Sequence, residues 1–231
     1  MKTIGLIGGM SWESTAVYYR LLNQMARERL GGLHSAQLLL WSFDFADIEA
    51  FQAADDWAAA TEAMVAAARR LARGGADCIV ICSNTMHKMA GDVRAAVSIP
   101  LIHIGDVTAA AVEAAGARKP LLLATRYTME QDFYTGYLRE NHGINVSVPD
   151  AAGRAVVHDI IYNELCQGVL KPESRRAYLD VIAQADGIDG VIFGCTEVGL
   201  LLSPEDLDVP AFDTTPLHAR AALDFALSPL G

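Results

Sequence analysis

The sequence predicts an α/β protein of two pseudo-symmetric halves, each a mainly parallel sheet flanked by helices. Three observations carry that prediction. Short apolar runs alternate with longer helical patterns through all 231 residues, which is how parallel strands covered on both faces read. Glycine or proline punctuates most of the junctions. A faint internal repeat, at an offset of 112, lays residues 79–85 on residues 191–197.

The elements follow in order. Residues 3–7 form an apolar run that ends in Gly8-Gly9, a strand followed by a tight turn. Ser11 or Ser14 caps the next helix, which runs to about residue 30 and is stopped by Gly31-Gly32. Residues 36–41 read as a strand, 55–73 as an Ala-rich helix ended by Gly74-Gly75, and 78–81 as a strand. Residues 88–97 read as a helix that ends before Ser98-Ile99-Pro100. The pattern then restarts with strands at 101–104, 120–124, 145–148, 191–193 and 209–212. Between and after them come helices at 106–115, 130–141, 156–166, 173–185 and 216–227. This spacing sets two domains, residues 1–98 plus 209–231 and residues 99–208. No Pro-, Gly- or Ser-rich linker separates them.

Composition narrows the function. The hydrophobic fraction is 52% and the charged fraction 20%, ordinary for a globular protein. The net charge of −10 argues against a nucleic-acid partner, because phosphate binding needs clustered Lys and Arg. No apolar run reaches the roughly 18 residues that would span a bilayer, so no membrane partner is expected. Met1-Lys2-Thr3-Ile4-Gly5 enters a strand pattern without the layout of an export signal. With no C-x-x-C pair, the four cysteines are expected to be free thiols in a reducing cytoplasm. Cys78 and Cys166 read as small buried hydrophobes.

Parallel sheets bind ligands at the carboxyl ends of their strands, and every polar run of interest lies at such an end. The runs are Gly8–Trp12, Ser83–His87, Thr125–Thr128 and Cys195–Glu197. Gly5-Leu6-Ile7-Gly8-Gly9-Met10 lacks the G-x-G-x-x-G spacing of a dinucleotide site, so its glycines serve a tight turn or close approach to a small ligand. Cys195 sits at a strand-to-helix turn, where backbone N–H groups and the helix dipole favour thiolate. Glu197 can orient that thiol or a substrate ammonium, but its charge alone raises a thiol pKa. The alternative is a buried cysteine beside a helix cap. Ser83-Asn84-Thr85 offers two hydroxyls and an amide, neutral donors for a carboxylate, and equally suits a capped turn. His87 caps, packs or bonds to the Ser83 region. No lysine sits in a run that suggests a Schiff base, and no cluster has zinc-ligand spacing, so a cofactor-free mechanism is expected. When the repeat is matched, Ser83 falls opposite Cys195. Two proton-handling side chains at equivalent strand ends suit moving a proton from one face of a carbon to the other.

The runs Ile81-Cys82-Ser83-Asn84-Thr85-Met86-His87 and Val191-Ile192-Phe193-Gly194-Cys195-Thr196-Glu197 resemble the two signatures of the aspartate/glutamate racemase superfamily. The resemblance extends over Gly5–Thr15, over Thr125-Arg126-Tyr127-Thr128-Met129 and over Phe212-Asp213-Thr214, nearly the whole chain. It is nearest the bacterial L-aspartate/glutamate-specific, or broad-specificity, amino-acid racemases. It implies two domains with the active site in the cleft between them, a homodimer, and PLP-independent racemisation of a small amino acid by two bases. Cys195 is implied to act on the L-enantiomer. Met10, Gln52, Asn84, Thr85 and Thr196 are implied to hold the substrate, with Thr125, Thr128 and Glu197 as further binding candidates.

The chain departs from the family pattern at one base. The usual first cysteine stands directly before Asn-Thr, and here Ser83 takes that place with Cys82 one step earlier. Strand alternation points the two to opposite faces. Aspartate racemases often carry an arginine near the position of Gln52. A serine is a poor base but can deliver a proton. Cys195 is therefore expected to take the α-proton and Ser83 to protonate the other face. Two other readings are a cysteine-nucleophile hydrolase using Cys195, Glu197 and a histidine, and an amino-acid-binding protein in which Ser83 marks weakened catalysis.

Overall fold

A computed structural model describes residues 1–229. The elements run β1 (Ile4–Gly8), α1 (Trp12–Leu30), β2 (Leu38–Ser42), α2 (Phe45–Ala53), α3 (Trp57–Arg73), β3 (Cys78–Ile81), a 3-10 turn (Thr85–Met89), α4 (Ala90–Ala96) and β4 (Leu101–Ile102). They continue with α5 (Ile104–Ala114), β5 (Leu121–Leu123), α6 (Arg126–Glu130), α7 (Asp132–His142), α8 (Ala151–Asn163), α9 (Pro172–Ala183), β6 (Val191–Phe193), α10 (Val198–Leu201), β7 (Ala211–Asp213) and α11 (Thr214–Leu227). The chain divides into two compact units, Met1–His103 with the stretch from His218 onward, and Ile104–Leu217.

The first unit holds a four-stranded parallel sheet in the order β2-β1-β3-β4. Its strands alternate between two cores, as a period of two requires. Ile7, Ile79 and Ile81 pack with Ala60, Met64 and Ala67 of α3 and Val93 of α4. Ile4, Leu6, Cys78, Val80 and Cys82 pack with Tyr18 and Leu22 of α1 and with Ala219, Ala222 and Leu223 of α11. Ser11 caps α1, its side chain accepting from the Ser14 N–H.

The second unit holds a three-stranded parallel sheet in the order β5-β6-β7. Leu122, Ile192 and Phe193 share one core with Val112 of α5, Leu138 of α7, Val157 of α8 and Tyr178 of α9. The repeated strands end at Ile81 and Phe193, the offset of 112 read from the sequence.

Several expectations are corrected. Residues 101–104 were expected to open the second half, but β4 pairs with β3. Residues 209–212 were expected in the first domain, but β7 pairs with β6. The units therefore divide after His103 and after Leu217, rather than at 98/99 and 208/209. Residues 230–231 of the expected first domain lie outside the described residues. The expected strand at 145–148 is a single bridge, Ser147 to Leu121, because a neighbouring run pairs with β5 at one point only. The segment after β2 folds as α2, capped by Asp44, whose carboxylate accepts from the Ala46 N–H at 3.0 Å. The expected helix at 88–97 divides into the 3-10 turn and α4. No helix of the described residues is long and apolar enough to cross a membrane.

Candidate active site

In the first unit the chemistry gathers beyond the ends of β1, β2 and β3. Cys82 is fully buried in the core beneath α1 and α11, and burial pushes its thiol well above the usual range. Ser83 comes next and is half-buried. Its hydroxyl accepts from the Met86 N–H at 3.4 Å, and its carbonyl accepts from His87 Nδ1 at 2.7 Å. Asn84 and Thr85 follow, both buried. Met10, after β1, packs in the core that holds Ile48 and Met86. Gln52, in the last turn of α2, is 4% exposed and donates from Nε2 to Met86 Sδ at 3.3 Å. The turn before Met10 needs glycine: Gly9 has φ +83°, and a Cβ there would lie 2.3 Å from the Phe43 carbonyl oxygen. The Gly9 N–H is bound by Thr15 Oγ1 at 2.8 Å.

Three histidines support this strand end. The His87 ring lies 4.9 Å from His103 and 5.6 Å from His218, centroid to centroid. Burial, helped by the other two rings, holds His87 well below the ordinary histidine pKa. Burial takes His218 down to about 4. Neutral His218 gives its Nε2–H to the Ile102 carbonyl and accepts from the Tyr18 hydroxyl at Nδ1, both at 2.8 Å. His87 and His218 are thus fixed, neutral packing groups, and His87 is tied directly to Ser83.

In the second unit Cys195 and Thr196 follow β6, and Glu197 precedes α10. The Cys195 thiol donates to Glu197 Oε2 at 3.0 Å, and Cys166 Sγ lies 3.9 Å from Glu197 Oε1. Glu197 is 3% exposed and Thr196 is also buried. Burial, then the charges of Glu197 and Cys166, hold the Cys195 pKa well above its ordinary value. This overturns the expectation that a helix N-terminus would favour thiolate. α10 has four residues and a correspondingly small dipole, and the backbone bond that lowers the pKa loses to desolvation and the adjacent carboxylate. Thr125 and Thr128 meet hydroxyl to hydroxyl at 3.2 Å beyond β5.

Two residues of this unit lay outside the sequence reading of the site. Cys166 was read as a packing residue, and it reaches the same carboxylate as Cys195. Only the chain reversal through α9, invisible in local spacing, brings it there. Asp213, at the end of β7, stands in register with Phe193. Its carboxylate accepts from the Thr215 N–H at 3.0 Å, and burial raises its pKa to about 6. A Cβ on Gly199 would lie 2.2 Å from Asp213 Oδ2, so that glycine makes room for the carboxylate. Among the described residues no group of three or more His, Cys, Asp or Glu could hold a metal ion.

The chain as a whole is similar to known proteins. The Asp/Glu/Hydantoin racemase family model matches residues 7–222. The broad-specificity amino-acid racemase RacX of Bacillus subtilis (strain 168) is 25% identical over 175 residues, 72% of each chain. A Yersinia pestis crystal structure assigned to the Asp/Glu racemases is 53% identical, covering 99% of this chain and 100% of the other with a TM-score of 0.91. The crystal structure of an aspartate racemase homologue from Pyrococcus horikoshii OT3 is 35% identical, with coverage of 99% and 100% and a TM-score of 0.85. With 99% of its length covered by relatives 53% and 35% identical to it, and the family model matching residues 7–222, this chain belongs to the Asp/Glu/hydantoin racemase family.

Proposed function

We propose that the protein is an amino-acid racemase that moves the α-proton with its own side chains. Cys195 serves the L-enantiomer and Ser83 the opposite face. The observation that carries this reading is the Cys195 thiol donating to the buried Glu197 carboxylate at 3.0 Å. A thiol held above its ordinary pKa is protonated at rest. It becomes a base only when a neighbour accepts its proton, and Glu197 is placed for that.

The steps balance as follows. Glu197 takes the Cys195 proton, and the thiolate removes the α-proton of the L-substrate, becoming a thiol again. Ser83 gives its hydroxyl proton to the other face of the carbanion; as the product leaves, solvent restores the Ser83 hydroxyl and takes back the proton held by Glu197. The Met86 N–H on Ser83 Oγ opposes the negative charge that develops on that oxygen. Asn84, Thr85 and Thr196 supply neutral donors for the α-carboxylate. Met10, Gln52, Thr125 and Thr128 complete the binding residues of this reading. A homodimer belongs to the same proposal by family resemblance.

Incubation of L-amino acids in heavy water tests it. The wild type should incorporate α-deuterium and form the D-isomer, and Cys195→Ala should do neither. A covalent adduct on Cys195, seen by mass spectrometry, with release of ammonia or alcohol would instead establish a hydrolase. Tight binding with no α-exchange would establish a binding protein.

A further inference from the structure

We infer that Cys166 is a positioning residue for the proton transfer: it holds Glu197 Oε1 so that Oε2 stays turned to the Cys195 thiol. The inference rests on the racemase reading above and adds a residue to its machinery. Two observations support it independently. Two thiols divide the two oxygens of one carboxylate, and the turn that carries Cys166 is tied in place by contacts of its own.

The first observation is geometric. Cys195 donates to Glu197 Oε2 at 3.0 Å, and Cys166 donates to Oε1 at 3.9 Å, within the longer reach of a sulfur donor. Glu197 is 3% exposed. The backbone around it is fixed, because the Val198 N–H bonds to the Cys195 carbonyl at 3.1 Å and the Leu200 N–H to the Glu197 carbonyl at 3.0 Å. The freedom left to restrain is rotation of the side chain, and a glutamate has several torsions to lose. The Cys195 bond changes within each turnover, since its proton passes to Oε2. The Cys166 proton stays on sulfur throughout. Once Oε2 is protonated, Oε1 is a carbonyl oxygen and still accepts from Cys166. The transferred proton is thereby kept on the oxygen that faces Cys195.

The second observation is how the turn is held. Cys166 lies in the 3-10 turn Leu165–Gln167 between α8 and α9, which Gly168 closes at φ +70°. Leu165 is 1% exposed and belongs to the core that holds Val157 and Tyr178. The Glu164 carbonyl accepts from the Gln167 N–H at 2.9 Å and from the Val169 N–H at 3.0 Å. The Glu164 carboxylate accepts from the Ser174 hydroxyl of α9 and from Lys171 Nζ at 3.1 Å. The Tyr178 hydroxyl of α9 donates to the Val157 carbonyl of α8 at 3.1 Å. Burial, then the charges of Cys195, Glu197, Cys166 and Glu164, hold that hydroxyl well above its ordinary pKa, so one tyrosine stands among all four. The frame of α8 and α9 thus delivers Cys166 to the carboxylate.

The test is a double-mutant cycle read by α-deuterium incorporation in heavy water. Wild type, Cys166→Ala, Glu197→Gln and the double variant are each measured with L-aspartate, L-glutamate, L-alanine, L-methionine and L-lysine in turn. Cys166→Ala should lower kcat at least about fivefold, the scale of one hydrogen bond, and leave KM within about twofold. Added to Glu197→Gln, the same substitution should lower kcat by less than about twofold, because the proton acceptor it positions is already gone. Cys166→Ser, which keeps a donor, should retain more kcat than Cys166→Ala. Should Cys166→Ala fail to fold, Cys166→Val, which fills the space without a donor, takes its place in the cycle. An equal loss in both backgrounds, or no loss in either, overturns this inference and leaves the racemase reading standing. No exchange of any of the five by the wild type overturns both.

Discussion

The Cys195 thiol and the Glu197 carboxylate form a 3.0 Å hydrogen bond in which sulfur is the donor. The base of the proposed reaction is therefore stored as a thiol with its proton acceptor attached. Glu197→Gln should separate two effects that usually travel together. Removing the charge should lower the Cys195 pKa, so its alkylation by iodoacetamide, followed by mass spectrometry of its own peptide, should reach half-rate at lower pH. Removing the acceptor should lower kcat by about 10²-fold. An unchanged alkylation profile would show that burial alone sets the thiol.

Ser83 and Cys82 are adjacent in sequence and separate in environment. Cys82→Ala should keep α-exchange and racemisation while lowering stability by about 1 kcal/mol, the scale of a small buried truncation. Ser83→Ala should keep exchange of the L-substrate and lose appearance of the D-isomer. Chiral chromatography together with the deuterium assay reads both. Loss of racemisation in Cys82→Ala without loss of fold would exchange the two roles.

The histidine cluster predicts an acid-sensitive first unit. His218 stays neutral when folded down to about pH 4, whereas the unfolded chain protonates it near 6.5. Between those values the unfolded state binds more protons, so stability falls as pH falls. His218 alone should contribute about 2 kcal/mol of loss between pH 7 and pH 5, and His87 acts in the same direction. Asp213 opposes it, because its folded pKa is raised to about 6 and its folded form protonates first. Comparing wild type with His218→Gln by urea denaturation at both pH values cancels that term. The variant should lose less stability on acidification, and equal losses would contradict the account.

Gly9→Ala should destabilise by about 2 kcal/mol or more, because it combines a positive φ with a Cβ pressed on the Phe43 backbone. For a chain of this size that is a fall of several degrees in Tm. A melting curve that matches wild type would show that the β1 turn can shift.

The sequence made the alternation of β and α elements legible, because buried parallel strands leave continuous apolar runs such as Ile79–Val80–Ile81. It also made the two strand ends legible through the repeat, since β3 and β6 end at equivalent places. What escaped was non-local. Two-residue β4 carries no mark of the sheet it joins, and pairing alone assigns it. α2 was missed because Phe45–Ala53 has an apolar residue on nearly every side and only Asp44 as a start signal. The sign of the Cys195 shift was misjudged because local spacing shows the helix start but not the depth of burial or Cys166, which arrives from 29 residues upstream.

The central claim is an unequal pair of bases, with Cys195 the committed one and Ser83 the weaker partner. Racemisation has an equilibrium constant of one, so kcat/KM for the two directions must agree whatever the bases are. The asymmetry shows instead in exchange. The most direct measurement is the time course of an L-amino acid in heavy water, followed at once by α-deuterium content and by chiral analysis. The account predicts α-deuterium in the L-isomer before the D-isomer appears. Deuterium and D-isomer rising together from the first minutes would contradict it.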